Sequence, residues 1–219
     1  PKAVLDAGCG MGFSLKRVAN HFPEAHCLGV ELSQQAADHA LQLGGMTILR
    51  KNFHRVQEKQ DLIMMNHILE HLVNPNEAIA HAHKCLRPSG VLLVEIPIGN
   101  GWTRRMWKRY WWCHLPPQHL HLFSPEGLSS VIRAHGFSEL ERSRTGYPFG
   151  FSMGWIVFVR AAWGSYSPYR KNSAVRVPAF ILGLMLLPLC LVLDLLIAPI
   201  LNYTQGDIVT MVFKKQGKE

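Results

Sequence analysis

Along the chain, short apolar runs alternate with stretches whose apolar residues recur every three or four positions. Runs at 3–6, 26–31, 46–50, 61–66, 91–97, 137–144 and 208–214 read as strands. The run 61–66 is apolar between its ends, as a strand buried on both faces should be. Helical periodicity covers 14–21, 76–86 and 124–135, and Ser33 is placed to N-cap a further helix through Leu43. Each helix has a stop: Pro23, the Gly44-Gly45 pair, the turn Arg87-Pro88-Ser89-Gly90, and Gly136. Ser124 before Pro125 is an N-cap followed by proline at the first helical position. Strands alternating with helices predict an α/β fold, a mostly parallel sheet with helices on both faces.

Two segments break this rhythm. Residues 99–123 are rich in aromatic, histidine and basic side chains, and residues 148–205 carry an apolar block. Within that block, 177–201 holds a single charge, Asp194, and is interrupted by Pro188 and Pro199. Its length suits a bilayer, but Asp194 is costly at mid-membrane. The strands on either side belong to one sheet, so crossings must be even in number. The only partner, 149–163, is shorter and carries Arg160. The expectation is a kinked, re-entrant or in-plane helix pair dipping into one leaflet, with Arg170, Lys171 and Arg176 toward anionic headgroups. The competing reading is an apolar arm buried against a partner subunit. The expected organisation is a domain at 1–147, the membrane-associating insertion at 148–205, and the last strand of the first domain at 206–219.

The most informative local feature is Asp6-Ala7-Gly8-Cys9-Gly10-Met11-Gly12, three alternating glycines straight after a strand and before a helix. Glycine permits the sharp turn and lets main-chain N–H groups approach a ligand. About twenty residues on, Glu31 ends the second apolar run, where an acid can accept both hydroxyls of a ribose. Together they point to a nucleoside cofactor, although dinucleotide enzymes use a similar loop.

The fourth strand narrows the choice. It runs Asp61-Leu62-Ile63-Met64-Met65-Asn66-His67-Ile68-Leu69-Glu70-His71-Leu72-Val73-Asn74-Pro75, and Leu86-Arg87-Pro88-Ser89-Gly90 leads into strand five. With the glycine loop and Glu31, this resembles the class I S-adenosylmethionine-dependent methyltransferases of small-molecule type, from residue 1 to about 144 and again from 206 to 215. The resemblance implies a Rossmann-like seven-stranded sheet of order 3-2-1-4-5-7-6, its last strand antiparallel between five and six. It implies S-adenosyl-L-methionine as cofactor. Asp6 would orient the loop, Gly8, Gly10 and Gly12 would line the methionine and ribose side, and Glu31 would take the ribose diol. Leu32 would pack on the adenine, Asn52 and Phe53 would border it, and Asn66 and His67 would lie beside the methionine moiety. Asn52 stands where the family often has an acid. Glu70 and His71 would hold the loop next to the cofactor, and Cys9 would be a small packing residue.

Methyl transfer needs a base only if the acceptor must lose a proton. The stretch from Cys113 to Phe123 resembles an element that some of these enzymes place over the substrate. His119 and His121, alternating on an extended piece, are expected to point to opposite sides so that only one faces the cleft, and His119 is the candidate catalytic base. Cys113, His114, His119 and His121 could ligate zinc, but their spacing matches no common module and no metal is expected. The run 102–112 interleaves tryptophan with arginine and lysine, as in nucleic-acid grooves, membrane interfaces, or a lid helix packed on its own domain.

Composition adds less. The 219 residues carry a formal charge of +8 with 12 histidines, compatible with nucleic acid, acidic substrates or an anionic membrane. Five cysteines without paired spacing predict reduced thiols in a cytosolic setting. The chain opens directly on a strand with no leader pattern, and upstream residues are expected in the natural protein. The combined expectation is a methyltransferase for a small or lipid-linked acceptor, peripheral or monotopic on the cytoplasmic face of a membrane. The alternatives are an RNA methyltransferase, a non-catalytic membrane-associated protein with a vestigial cofactor fold, and a nicotinamide oxidoreductase.

Overall fold

The computed structural model describes residues 1–115, 117–162 and 176–217. The strands are β1 (Ala3–Ala7), β2 (His26–Val30), β3 (Thr47–Leu49), β4 (Gln60–Asn66), β5 (Leu86–Pro97), β6 (Phe137–Thr145) and β7 (Ile208–Lys215). The helices are α1 (Phe13–His21), α2 (Gln34–Gln42), α3 (Pro75–Cys85), α4 (Trp102–Trp107), α5 (Pro125–Ala134), α6 (Gly150–Ala162), α7 (Arg176–Leu196) and α8 (Ala198–Gln205). The seven strands form one sheet in the order β3-β2-β1-β4-β5-β7-β6, with β1/β2, β1/β4, β2/β3 and β4/β5 parallel. This is the expected topology.

Burial follows the patterning. Val4, Leu5, Ile63 and Met65 of the central strands are fully buried, and Leu15 of α1 packs with Val4, Cys27 and Met64. Burying a leucine of this kind is worth roughly 1.5–3 kcal/mol. The caps match expectation. The Ser33 hydroxyl accepts from the Ala36 amide, and the Ser124 hydroxyl accepts from the Gly127 amide at 3.1 Å. Gly136, at φ 82°, closes the turn after α5.

One boundary differs. The predicted turn Arg87–Gly90 lies inside β5: Leu86 already pairs with Gln60, then the chain bulges and Val91 re-enters opposite Leu62. Ser89 takes φ 60° to make that bulge. Long-range pairing of Leu86 extends the strand past a turn that local sequence places at its start.

The chain forms two compact units: Pro1–Ile96, Phe123–Ser143 and Thr210–Glu219 in one, and Pro97–Leu122 and Arg144–Val209 in the other. Most of both rhythm-breaking segments therefore packs in the second unit. There, buried carboxylates take helix-start amides. Asp207 accepts from Thr103 N at 3.1 Å and Arg104 N at 3.3 Å. Asp194, which the sequence reading treated as a mid-membrane burden, accepts from Phe151 N at 2.6 Å and Ser152 N at 2.9 Å. Its charge is met by the first turn of α6. Among the described residues no single helix is long and apolar enough to cross a membrane, while 185–196 and 198–205 form a pair bent by 55°. Arg170 and Lys171, assigned to headgroup contact, lie outside the described residues.

Replacing Ser124 with alanine removes the cap of α5 and should cost about 1 kcal/mol of stability by denaturant titration, with the fold retained. An unchanged midpoint would show that the Ser124 hydroxyl does not hold the helix.

Candidate functional site

In an open α/β sheet, ligands lie beyond the carboxyl ends of the strands where the order reverses, here at β1 between β2 and β4. Gly8, Gly10 and Gly12, at φ 82°, 52° and 83°, carry the chain from β1 into α1. A side chain is disfavoured there by conformation, and at Gly12 by space too, since a Cβ would stand 2.7 Å from that of Ala40. A Cβ built on Gly10 would meet nothing within 4 Å, so the side-chain side of that stretch of main chain is open.

Glu31, one residue past β2, holds this loop. Its Oε2 accepts from Gly10 N at 2.9 Å, and its Oε1 accepts from Leu32 N and Ser33 N, both at 2.8 Å. Sequence reasoning assigned Glu31 only to a ligand and missed this grip on the loop. The signal, an acid facing a glycine turn from the neighbouring strand, exists only once the strands are paired. Beneath it Asp6 is 1% exposed, and its Oδ1 has no partner among the described residues. Burial first, then the charge of Glu31, pushes its carboxyl up to about 7. Cys9 packs against Gly29, and burial pushes its thiol up to about 12, as suits an inert filler.

A cleft of about 180 Å³ opens beside the loop, lined by Gly8, Glu31, Leu32, Asn52, Phe53 and Ile68 among others. It gathers five of the predicted residues. A larger cleft, bordered by Lys2, Lys59 and Arg87, includes the first residue of β1 and so lies at the strand starts, away from the switch point. Asn52 is already engaged: its Oδ1 accepts from His54 N at 3.0 Å and caps the short turn Phe53–Arg55. The Phe53 ring meets His81 edge-on at 4.8 Å.

Asn66 ends β4, and His67 follows with φ 54°, a strained conformation for a residue with a Cβ. Its ring bridges two acids, Nδ1 to Glu70 Oε1 at 3.3 Å and Nε2 to Glu95 Oε1 at 3.5 Å. The Glu70 contact is an ion pair and not an aligned hydrogen bond. Thr210 donates to the second oxygen of Glu95 at 2.8 Å. The Glu70 side chain is completely buried in the turn Leu69–His71. Glu70 first and Glu95 second raise His67 to about 9, and the same pairing lowers Glu95. At neutral pH His67 is therefore an imidazolium and a poor base.

His119 belongs to the second unit. Its Nδ1 lies 2.7 Å from the Cys113 carbonyl, which makes Nδ1 the protonated nitrogen and Nε2 the acceptor in the neutral ring. His119 and His121 are both partly buried while Leu120 and Leu122 are exposed. Residues two apart share a side of an extended chain, so the expectation that the two histidines face opposite ways is corrected. The tryptophans of 102–112 also turn inward. Trp102 donates to Asn202 Oδ1, Trp107 to the Gly150 carbonyl, and Trp111 to Thr103 Oγ1. Of the three readings of that run, packing on its own unit describes Trp102, Trp107 and Trp111.

A family model described as a methyltransferase domain matches residues 1–141. The chain belongs to that family, and its fold is that of the class I S-adenosylmethionine-dependent methyltransferases. Trans-aconitate 2-methyltransferase of Deinococcus radiodurans is 32% identical over 99 residues, 44% of this chain and 38% of the relative. Malonyl-[acyl-carrier protein] O-methyltransferase of Halalkalibacterium halodurans is 30% identical over 105 residues, 43% of this chain and 39% of the relative. The chain thus spans about two fifths of the length of these relatives. Among solved structures, a possible histamine N-methyltransferase of Thermotoga maritima aligns with TM-score 0.61 at 18% identity, covering 98% of this chain and 82% of that one. A mycolic acid cyclopropane synthase complexed with SAH and CTAB aligns with TM-score 0.62 at 16% identity, covering 98% and 78%.

The state of His67 gives a pH prediction. Its folded value of about 9 exceeds the ordinary 6.5, so the imidazolium's stabilisation is complete below 6.5 and is lost as pH rises through about 9. Thermal unfolding of wild type and His67→Gln should differ most near pH 6 and converge above pH 9. A gap independent of pH would show that the ring is held by packing alone.

Proposed function

We propose that the chain transfers a methyl group from S-adenosyl-L-methionine to a small or lipid-linked acceptor at the cytoplasmic surface of a membrane. The observation that carries the methyl-transfer reading is the open glycine turn clamped by Glu31 at the switch point of the sheet. The residues fit the cofactor. Asp6 Oδ1 is a buried acceptor with no partner among the described residues, Gly10 has open space beside it, and the cleft joins the loop to Glu31, Leu32, Asn52 and Phe53.

When bound, S-adenosylmethionine supplies a methyl group on an electron-poor sulfur. The chain's work is binding, alignment and exclusion of water. A carboxylate has about four lone-pair sites, and three on Glu31 are taken by Gly10, Leu32 and Ser33. Ribose hydroxyls would share the Glu31 oxygens with these amides. Leu32, 67% exposed, offers an apolar surface to the adenine, with Asn52 and Phe53 at its border. Gly8, Gly10 and Gly12 would hold the methionine side, with Asn66 and His67 at the end of β4. Asp6, ready to lose its proton near neutrality, suits a site that receives a cation. His119 would accept the acceptor's proton at Nε2 where the acceptor has one to lose.

The names of the relatives favour small-molecule or acyl-carrier acceptors. The apolar insertion favours an acceptor presented at a bilayer, such as a quinone-type, isoprenoid-linked or glycolipid molecule. The RNA reading loses its main support with the inward tryptophans, which leave no stacking platform among Trp102, Trp107 and Trp111.

Calorimetry should show S-adenosylhomocysteine binding and no nicotinamide dinucleotide binding. Glu31→Ala should weaken the former by about 1–3 kcal/mol, the range for a charged hydrogen-bond partner. Affinity unchanged in that variant would remove Glu31 from the ribose role, and failure of the wild type to bind would favour the vestigial fold. Incubating membranes with enzyme and methyl-labelled cofactor should place the label in the lipid extract or the small-molecule pool; label in RNA would overturn the acceptor class.

A further inference from the structure

We propose that the exposed face of α7 and α8 docks on an anionic lipid bilayer and enters one leaflet, with Arg105, Lys108 and Arg109 at headgroup level. This deepens the membrane part of the function proposed above and is independent of methyl transfer. Met185, Leu189, Val192 and Leu196 are all exposed, and their spacing of i, i+4, i+7 and i+11 puts them on one stripe of α7. Ile200 and Tyr203 continue the exposure along α8, and Leu195, at 75%, is among the most open leucines of the chain. An apolar surface this continuous is rare on a protein that meets only water.

Charge is arranged to match. From residue 181 to 205 the sole aspartate, glutamate, lysine, arginine or histidine is Asp194, and that carboxylate is 4% exposed, turned inward onto the Phe151 and Ser152 amides. The exposed face therefore carries no charge to desolvate. At its edge the Arg105 guanidinium meets the Gln205 side chain at the end of α8. Lys108 and Arg109 follow, both exposed, with Arg109 over the Tyr110 ring at 4.8 Å and Tyr110 edge-on to Phe158 of α6 at 5.1 Å. Cations and aromatic rings bordering a charge-free apolar face are the pattern of a membrane interface. The apolar segments 185–196 and 198–205 meet at a bend of 55°, so together they do not run straight through the roughly 30 Å hydrocarbon core. That bend suits insertion into one leaflet. A second copy of the chain is the rival occupant, but it offers no use for the cationic edge.

Flotation of the whole chain with phosphatidylcholine vesicles, with and without phosphatidylglycerol, tests this. The wild type should float with the anionic vesicles and less with neutral ones. Leu195→Glu/Ile200→Glu should stay at the bottom while still binding S-adenosylhomocysteine, so loss of docking is separable from loss of the cofactor site. Lys108→Ala/Arg109→Ala should lose about fivefold affinity per cation for anionic vesicles only. Should the glutamate variant misfold, a fluorophore on Leu196→Cys should shift to the blue on anionic vesicles. Wild type remaining at the bottom, equal flotation of the glutamate variant, or an unshifted fluorophore would overturn the proposal. So would a light-scattering mass showing a dimer that ignores vesicles and that the glutamate variant dissolves.

Discussion

Three main-chain amides on one carboxylate hold the site together. Glu31 ties Gly10 of the loop after β1 to Leu32 and Ser33 at the end of β2, so the loop's shape and the start of α2 are set by one side chain. The loop needs such a clamp because its glycines, at positive φ, have the most conformational freedom to lose. Hydrogen bonds to a charged acceptor contribute roughly 1.5–3 kcal/mol each, enough to hold it. The same device recurs. Asp61 gathers Lys2 N and Ala3 N at the start of β1, Asp207 gathers the first amides of α4, and Asp194 those of α6. In each case an acid takes up loose main-chain N–H groups.

The ends of the central strands carry opposite electrostatic settings a few residues apart in the fold. Asp6 on β1 is raised by burial to about 7, so its ionised form is available to whatever cation enters. His67 after β4 is held as imidazolium by Glu70 and Glu95 and is spent as a staple between β4 and β5. A strained backbone at His67 persists because two ion pairs and the bond from its amide to the Glu95 carbonyl over-determine it. This arrangement removes His67 from base chemistry at neutral pH.

Much of the fold was legible in the sequence because its determinants are local. Apart from the start of β5, period, caps and stops gave the expected strand and helix positions within a residue or two, and Ser33, Ser124 and Gly136 act as read. What local reading missed depends on distant partners. Leu86 joins β5 because Gln60 lies opposite it, and the turns Phe53–Arg55 and Leu69–His71 are too short to show a period. Tryptophans among cations left three readings open, and the partners of their indole N–H groups, Asn202, Gly150 and Thr103, lie up to a hundred positions away. In the site, the glycines and Glu31 were readable from spacing. The second task of Glu31, the capture of Asn52 by His54, and the double clamp on His67 were not.

The most direct test of the central claim is a crystal structure of the chain with S-adenosylhomocysteine. The account predicts ribose hydroxyls within hydrogen-bond distance of Glu31, with Gly10 N still on its carboxylate and the adenine between Leu32 and Phe53. A nucleoside bound elsewhere, or a Glu31 turned to solvent beside an unaltered loop, would contradict it.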